Sequence, residues 1–194
     1  VAMSSFKHPY AHRDFPWDIA CIDFIRTHKH YVSEDVAILD YFVGHYEENV
    51  LPNISALREA VIHNDANDQN VLAYNDGSVR GIIDFGDVVY SFVACEPAVC
   101  MSYVALERDE PLGPITQVLR GFHDIFPLNK YELRAVIYMM CIRLCITVTM
   151  AAYRKNLFPE NKYISVSEAP AWDFLKKMQN VELRAWSRGF SELC

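Results

Sequence analysis

The sequence predicts an α+β fold that is predominantly α-helical, with one small β-hairpin. Three observations support this prediction: apolar residues recur every three or four positions over most of the chain, two short β-type segments flank a tight turn, and about half of the 194 residues are apolar. A chain of this size and composition can bury a core of its own. We therefore expect residues 1–194 to form a single domain.

Three helices are predicted ahead of the hairpin. Pro16 opens the first, which carries an apolar residue at every third or fourth position. Ser33 is the predicted cap of the second helix, and Pro52 ends it. Asn53 is the predicted cap of a short third helix that reaches Glu59.

The hairpin comes next and pairs residues 71–74 with residues 79–83. Its tight turn is the Asn-Asp-Gly-Ser stretch at 75–78, which favours a short connection between antiparallel strands. Asn70 precedes the first strand and Asp84 follows the second. Because both ends of a hairpin open on the same side, we expect these two polar side chains to lie close together.

Helices resume after the hairpin, and the longest of them begins with a predicted capping box of Asn129 and Glu132. Its apolar run over residues 135–153 is nearly long enough to span a membrane. Arg143 at the middle of this run would cost about 2.5–3.5 kcal/mol on an insertion scale, so we predict a core helix instead. A final helix is predicted from residue 170 to beyond residue 186.

The charge and the cysteines exclude several classes of function. A net charge of −7 argues against a nucleic-acid-binding surface, which needs clustered Lys and Arg, and is compatible with a cationic small substrate. The six cysteines show no Cys-x-x-Cys spacing and lie mostly in apolar runs, which is typical of free thiols in a reducing compartment. No leader-like segment follows Val1. We expect a cytoplasmic protein without a membrane partner.

The most informative feature is a pair of polar motifs around the hairpin. The first is His63-Asn64-Asp65, followed by Asn70, and the second is Ile83-Asp84 with Asp87 three residues further on. Phosphoryl transfer onto an alcohol needs one carboxylate to accept the hydroxyl proton, with further oxygen ligands to hold Mg²⁺ on the nucleotide phosphates. Turn formation alone could explain one or two such residues, but not the whole set.

The motifs suggest a role for each polar side chain. Asp65 is the candidate catalytic base. Asn70 and Asp84 are the candidate Mg²⁺ ligands, because Mg²⁺ prefers oxygen ligands and keeps several waters, and Asp87 is a candidate for a second metal or for orienting the loop. His63 is interpreted as a residue that holds the loop.

Four further acids and one aromatic residue receive weaker interpretations. Glu96, in an apolar stretch, is predicted to be a buried acid that accepts hydrogen bonds from the motif loop, since a lone buried acid is costly. Asp14, Trp17 and Asp18 are weak candidates for binding a substrate ammonium through charge and cation–π interactions. Asp68 is a further weak candidate for the substrate site.

These motifs resemble the signature of the aminoglycoside phosphotransferase and choline kinase superfamily, which shares the protein-kinase fold. Asn64 replaces the Gly of the wider superfamily, and this version is similar to the hydroxylysine kinase branch and to the kinase-like domains fused to some class III aminotransferases. The resemblance implies a C-terminal catalytic lobe, with Asp65 as base, Asn70 and Asp84 as Mg²⁺ ligands, and ATP or GTP as phosphoryl donor. The acceptor would be a hydroxyl of a hydroxylated amino acid or amino alcohol.

The resemblance also implies a partner that the sequence does not supply. In that superfamily an N-terminal lobe covers the nucleotide with strands and a Lys, and no glycine-rich phosphate loop is visible among the seven glycines here. We expect the missing N-terminal lobe to be another part of the same protein. The isolated chain is then expected to be inactive and prone to self-association. A non-catalytic kinase-like binding or regulatory module is the alternative interpretation.

Overall fold

The computed structural model describes residue 3 and residues 5–160 and 168–192. Within those residues the chain forms seven α-helices and four short strands in two antiparallel pairs. The predominantly helical α+β class is therefore confirmed. The helices are α1 (Asp23–His28), α2 (Val36–Asn49), α3 (Cys95–Ala105), α4 (Leu112–Ile125), α5 (Lys130–Leu157), α6 (Glu168–Met178) and α7 (Leu183–Ser191). The strands are β1 (Glu59–Ile62), β2 (Val71–Ala73), β3 (Val79–Ile82) and β4 (Val89–Phe92).

Helix α5 is the centre of the core. The predicted capping box is present at its start, where the Asn129 side chain accepts from the Glu132 backbone N–H and the Glu132 carboxylate accepts from the Asn129 backbone N–H. Helices α1, α2, α3, α6 and α7 all pack against α5. The helix is long and apolar enough to cross a bilayer, but its apolar residues are buried by these neighbours, as predicted for a core helix.

The first two helices begin later than predicted. Helix α1 starts at Asp23 rather than at Pro16, because residues 16–22 form turns whose backbone is held by other partners. The carbonyl of Trp17 accepts a side-chain hydrogen bond from α5, and the Asp18 carboxylate accepts from the Ala20 backbone N–H. Asp35, and not Ser33, caps α2 by accepting from the Ala37 backbone N–H.

The prediction of a third helix is wrong. Residues Leu51–Ala56 form a short 3-10 segment, and Asn53 lies inside it with non-helical backbone angles instead of capping it. Glu59, the predicted end of that helix, is the first residue of β1, which pairs with β4 in the register Glu59 to Phe92. This second strand pair was not predicted, since three of the four β1 residues are buried and show no alternation.

The C-terminal region contains two helices where one was predicted. Helix α6 ends at Met178 and α7 begins at Leu183. Just past the end of α6 the Asn180 side-chain Nδ2 donates to the Lys176 carbonyl, and both helices pack separately on α5. The five cysteines within the described residues are free thiols, as predicted.

The predicted hairpin is confirmed to within one residue at each strand end. Strands β2 and β3 pair with Val71 opposite Ile82, and Gly77 in the turn adopts a positive φ of 83°. The Ile83 backbone N–H donates to the Asn70 carbonyl at 2.9 Å. Asn70 and Asp84 therefore leave the hairpin at the same end, which is the end that faces the motif loop.

Candidate active site

The motif loop begins directly after β1, and its first two residues, His63 and Asn64, are buried. The His63 ring lies between elements, with Nε2 2.9 Å from the Ile83 carbonyl and Nδ1 3.3 Å from the Asp65 backbone N–H. These partners require Nε2 to donate and Nδ1 to accept. His63 thus connects the start of the loop to the end of β3.

Asn64 has the special backbone geometry of the loop. Its φ is 65°, in the left-handed region that Gly and Asn adopt more readily than other residues, so Asn can stand where the superfamily signature has Gly. Its backbone N–H donates to Glu96 Oε2 at 2.9 Å, from the first turn of α3. Burial raises the pKa of the Glu96 carboxyl, and the hydrogen bond from Asn64 partly opposes that rise.

The Asp65 carboxylate is the most heavily bonded group of the loop. Its Oδ2 accepts from Asn70 Nδ2 at 2.8 Å and from Asn67 Nδ2 at 3.1 Å. Its Oδ1 accepts from Arg143 Nη2 at 3.0 Å. The side chain remains about one-fifth exposed, so the carboxylate is fixed in orientation and still open to a ligand.

Arg143 is the first of two residues of this site that sequence reasoning missed. It projects from the middle of α5, is only 1% exposed, and also donates from Nη1 to the Trp17 carbonyl at 2.9 Å. The available signal was the position of one Arg in a long apolar stripe, because a buried guanidinium requires an anionic partner. From the sequence, Arg143 served only as an argument against a membrane span.

The loop after β3 carries the candidate metal ligands. Asp84 is exposed and has a φ of 60°, and its Oδ1 accepts from the Gly86 backbone N–H at 3.2 Å. Asp87 is partly buried. Burial, and then the nearby Asp65 carboxylate, raise the pKa of Asp87, while Arg143 opposes this effect. Burial therefore disfavours the charged form of Asp87 in this loop.

The donor set fits a Mg²⁺ ion shared with nucleotide phosphates. Asn70 directs Nδ2 toward Asp65, which leaves its Oδ1 as the atom for another partner. Together with Asp84 and Asp87 it supplies only oxygen ligands, as Mg²⁺ prefers. Among the described residues no three His, Cys, Asp or Glu side chains converge closely enough to hold an ion by themselves. Waters and phosphate oxygens would have to complete the coordination.

The weak candidates for the substrate ammonium are placed unfavourably for that role. Asp18 is buried and its Oδ1 accepts from Ser91 Oγ at 2.6 Å, so its carboxylate has an internal partner. The Trp17 ring already faces two guanidinium groups, with the Cζ atoms of Arg143 and Arg154 at 4.8 and 5.6 Å from the centroid. Asp14 and Asp68 are exposed, and neither is among the hydrogen-bond partners of the Asp65 side chain.

The segment before α1 contributes a second residue that the sequence interpretation missed. Arg13 Nη2 donates to the Gly86 carbonyl at 2.7 Å, and its guanidinium stacks on the Phe15 ring at 4.1 Å. The same segment provides the Trp17 carbonyl, which accepts from Arg143 and, at 3.4 Å, from Asn64 Nδ2. This entry segment, residues 13–18, therefore connects the loop after β3 with the motif loop and Arg143.

A polar loop that presents a fixed Asp, an Asn five residues later and an acidic loop after a hairpin defines a phosphotransferase-type site. The chain belongs to the phosphotransferase enzyme family, whose sequence model matches residues 23–132. That span contains Asp65, Asn70, Asp84 and Asp87, while Arg143 lies beyond it. The resemblance inferred from the motifs is therefore confirmed at the level of the family.

The chain is also similar to proteins named hydroxylysine kinase. It is 28% identical over 199 residues to that of Mus musculus, covering 95% of this chain and 53% of the relative. The values for Bos taurus are 28% identity, 94% and 53%, and for Xenopus laevis 28%, 91% and 52%. This chain thus spans about half the length of the curated relatives it matches.

Proposed function

We propose that this chain is the catalytic lobe of a Mg²⁺-dependent small-molecule kinase. It would transfer the γ-phosphoryl group of ATP or GTP to the hydroxyl of a hydroxylated amino acid or amino alcohol. The observation that carries this proposal is the Asp65 carboxylate, held by Asn70, Asn67 and Arg143 and left about one-fifth exposed. The names of the hydroxylysine kinase relatives support the same acceptor chemistry.

Asp65 has the geometry of a general base. Its two oxygens have fixed donors, so the carboxylate cannot rotate to meet a substrate and must receive the hydroxyl in one orientation. The acceptor oxygen would attack the γ-phosphorus while its proton passes to Asp65. The bond from the γ-phosphorus to the β-phosphate oxygen then breaks, and the nucleoside diphosphate leaves.

Asn70, Asp84 and Asp87 would hold the Mg²⁺, which neutralises the charge of the nucleotide phosphates when it is bound. The Asp65 and Asp84 carboxylates lie near Asp87, so a cation bound among them would offset the repulsion between these groups. His63 and Glu96 would act indirectly, through the backbone of the motif loop.

We also propose a cytoplasmic location, which the buried free thiols support.

The residues near Asp65 also bear on the kind of acceptor. Asp18 has an internal partner, and the Trp17 ring lies between two guanidinium groups. An acceptor with a carboxylate, such as an amino acid, suits these surroundings better than one that carries only positive charge.

A phosphoryl-transfer screen tests the proposal. The longest natural protein that contains this chain would be incubated with ATP or GTP, Mg²⁺ and a panel of hydroxylysine, choline, ethanolamine and an aminoglycoside. We expect a phosphate monoester, detected by ³¹P NMR, from at least one hydroxylated amine. Absence of product across the panel with both nucleotides would contradict the proposed function.

A further inference from the structure

The buried guanidinium of Arg143 connects three parts of the site. It donates from Nη2 to Asp65 Oδ1 at 3.0 Å and to the Tyr103 hydroxyl at 3.3 Å, and from Nη1 to the Trp17 carbonyl at 2.9 Å. Its Cζ lies 4.8 Å from the Trp17 ring centroid. One side chain from α5 thereby contacts the candidate base, helix α3 and the entry segment.

Packing does not explain why an arginine occupies this position. Its neighbours in α5, Ile142 and Leu144, are fully buried apolar residues, and an apolar side chain here would avoid the cost of burying a charge. The bonding is also incomplete, since the Nε–H of Arg143 has no partner among the described residues. Residues that lower stability in this way are expected where function requires them.

The contacts indicate what that function is. Asn70 and Asn67 both bind Oδ2 of Asp65, so without Arg143 the Oδ1 atom would have no fixed donor and the carboxylate could turn about its Cβ–Cγ bond. Arg143 is too deeply buried to contact a substrate directly. A guanidinium has only donors and no acceptor atom, so the hydroxyl proton goes to Asp65 alone.

We propose that Arg143 is a positioning residue for phosphoryl transfer, which fixes the Asp65 carboxylate and attaches the entry segment at Trp17 to it. This inference rests on the proposed function. Arg143 would contribute to turnover through Asp65, and not through nucleotide binding. Misplacing a reacting group by about 1 Å can cost up to ~10²-fold in rate, which sets the size of the expected effect.

A double-mutant cycle in the longest natural protein containing this chain tests the proposal. We expect Arg143→Met to lower kcat by about 10- to 100-fold with little change in the KM for nucleotide. In an Asp65→Asn background the same change should have an effect below about 2-fold, because the group on which Arg143 acts is already disabled. Equal factors in the two backgrounds would overturn the positioning role.

The chain provides a matched control in Arg58. This arginine also binds a carboxylate, Glu132, donates to a backbone carbonyl, that of Pro127, and lies over an aromatic ring, Phe126, with its Cζ 5.1 Å from the centroid. Arg58→Met removes the same kinds of contact outside the site. We expect it to lower thermal stability and leave kcat within about 2-fold, whereas an equal loss of kcat would contradict a specific role for Arg143.

A measurement on the 194-residue chain itself does not depend on turnover. In the ¹H–¹⁵N spectrum of the arginine side chains, the Arg143 Nε–H signal would be assigned by its loss in Arg143→Lys, which keeps the charge. We expect Asp65→Asn to shift that signal and Asp68→Asn to leave it unchanged. An unchanged signal in Asp65→Asn would refute the ion pair. Absence of turnover in the unmodified protein would instead contradict the proposed function.

Discussion

The two sides of the candidate site differ in how completely the chain itself builds them. On the side of the base, Asp65 is held by residues from its own loop and by Arg143 from the core helix, and its loop is backed by the buried His63 and Asn64. On the side of the hairpin, Asp84 is exposed and its carboxylate accepts from the backbone of its own loop. The carboxylate on the side of the candidate base is fixed by hydrogen bonds, whereas the carboxylate on the hairpin side is exposed to solvent.

The open side also presents apolar surface. Six large apolar residues of the hairpin and the loop after it are more than one-third exposed, namely Leu72, Tyr74, Val79, Ile82, Ile83 and Phe85. Exposed apolar side chains concentrated in one short part of the chain are candidates for a docking surface. The bonded Asp65 carboxylate is thus built by this chain alone, whereas the exposed hairpin side is where we expect the covering lobe of the proposed kinase to bind.

The largest expected effect separates the two sides by function. Asp65→Asn keeps the shape of the side chain but removes the base, so turnover of the proposed kinase should fall by ~10²–10⁴-fold. Nucleotide affinity should change little, because Asp65 lies on the base side. Asp109→Asn, an exposed position in a loop outside the site, is the control. Initial rates and nucleotide titration measure both quantities, and a similar loss of affinity in Asp65→Asn would mean that the two sides are not separate.

Asp84→Ala should affect binding as well as turnover. A lost contact to a charged ligand is worth about 1.5–3 kcal/mol, so we expect affinity for the Mg²⁺–nucleotide complex to drop by roughly 10- to 100-fold. Calorimetric titration at several Mg²⁺ concentrations measures this change. If Asp84→Ala and Asp65→Asn weaken binding equally, the division into base and metal ligand is wrong.

The same contrast should appear in stability when one substitution is made on each side. Leu144→Ala removes a core side chain that is 1% exposed, and it should cost about 2–5 kcal/mol in the free energy of unfolding. Leu72→Ala on the hairpin, where the side chain is 40% exposed, should change that free energy by only about 0.5 kcal/mol. Urea denaturation of the two variants measures both. A large loss at Leu72 would show that the hairpin face is already covered in solution.

The apolar hairpin face predicts a smaller, concentration-dependent effect. The 194-residue chain should associate with itself at high concentration, because Val79 and Phe85 are 70% and 54% exposed. Val79→Ser combined with Phe85→Ser should reduce the associated fraction in sedimentation velocity. The matched control is Leu157→Ser with Phe158→Ser, two exposed apolar residues at the far end of α5. Equal reductions by both pairs would show that the hairpin is not the contact.

Some elements of this fold could be predicted from the sequence and others could not, for physical reasons. The hairpin and α5 were predicted closely, because their turn residues, capping box and apolar stripe are local signals. The start of α1 was missed because Trp17 and Asp18 bond to distant elements instead of continuing a helix. Pairing of β1 with β4 joins residues some thirty positions apart and leaves no local pattern.

The candidate site divides in the same way. Loop residues at fixed spacing, such as Asp65 and Asn70, could be selected from the motif. Arg143 could not be assigned a partner, since its contact with Asp65 joins positions 78 residues apart. Arg13 was likewise invisible, because its bond to the Gly86 carbonyl depends on the path of the entry segment. Long-range polar contacts are thus the part of the site that required the structure.

The smallest expected effect concerns the acid behind the motif loop. Burial raises the pKa of Glu96 above its unfolded value, so between that ordinary value, about 4.3, and the raised folded value the native state binds more protons than the unfolded state. Stability contributed by Glu96 is therefore present at low pH and is lost as pH rises through that window. Glu96→Gln removes this titration and still offers an oxygen to the Asn64 N–H, so its stability should fall less with rising pH than that of the unmodified chain. Urea midpoints from pH 4 upward measure the difference, with Glu110→Gln on an exposed loop as control. Parallel pH profiles for Glu96→Gln and the unmodified chain would show that Glu96 is not protonated preferentially in the folded state.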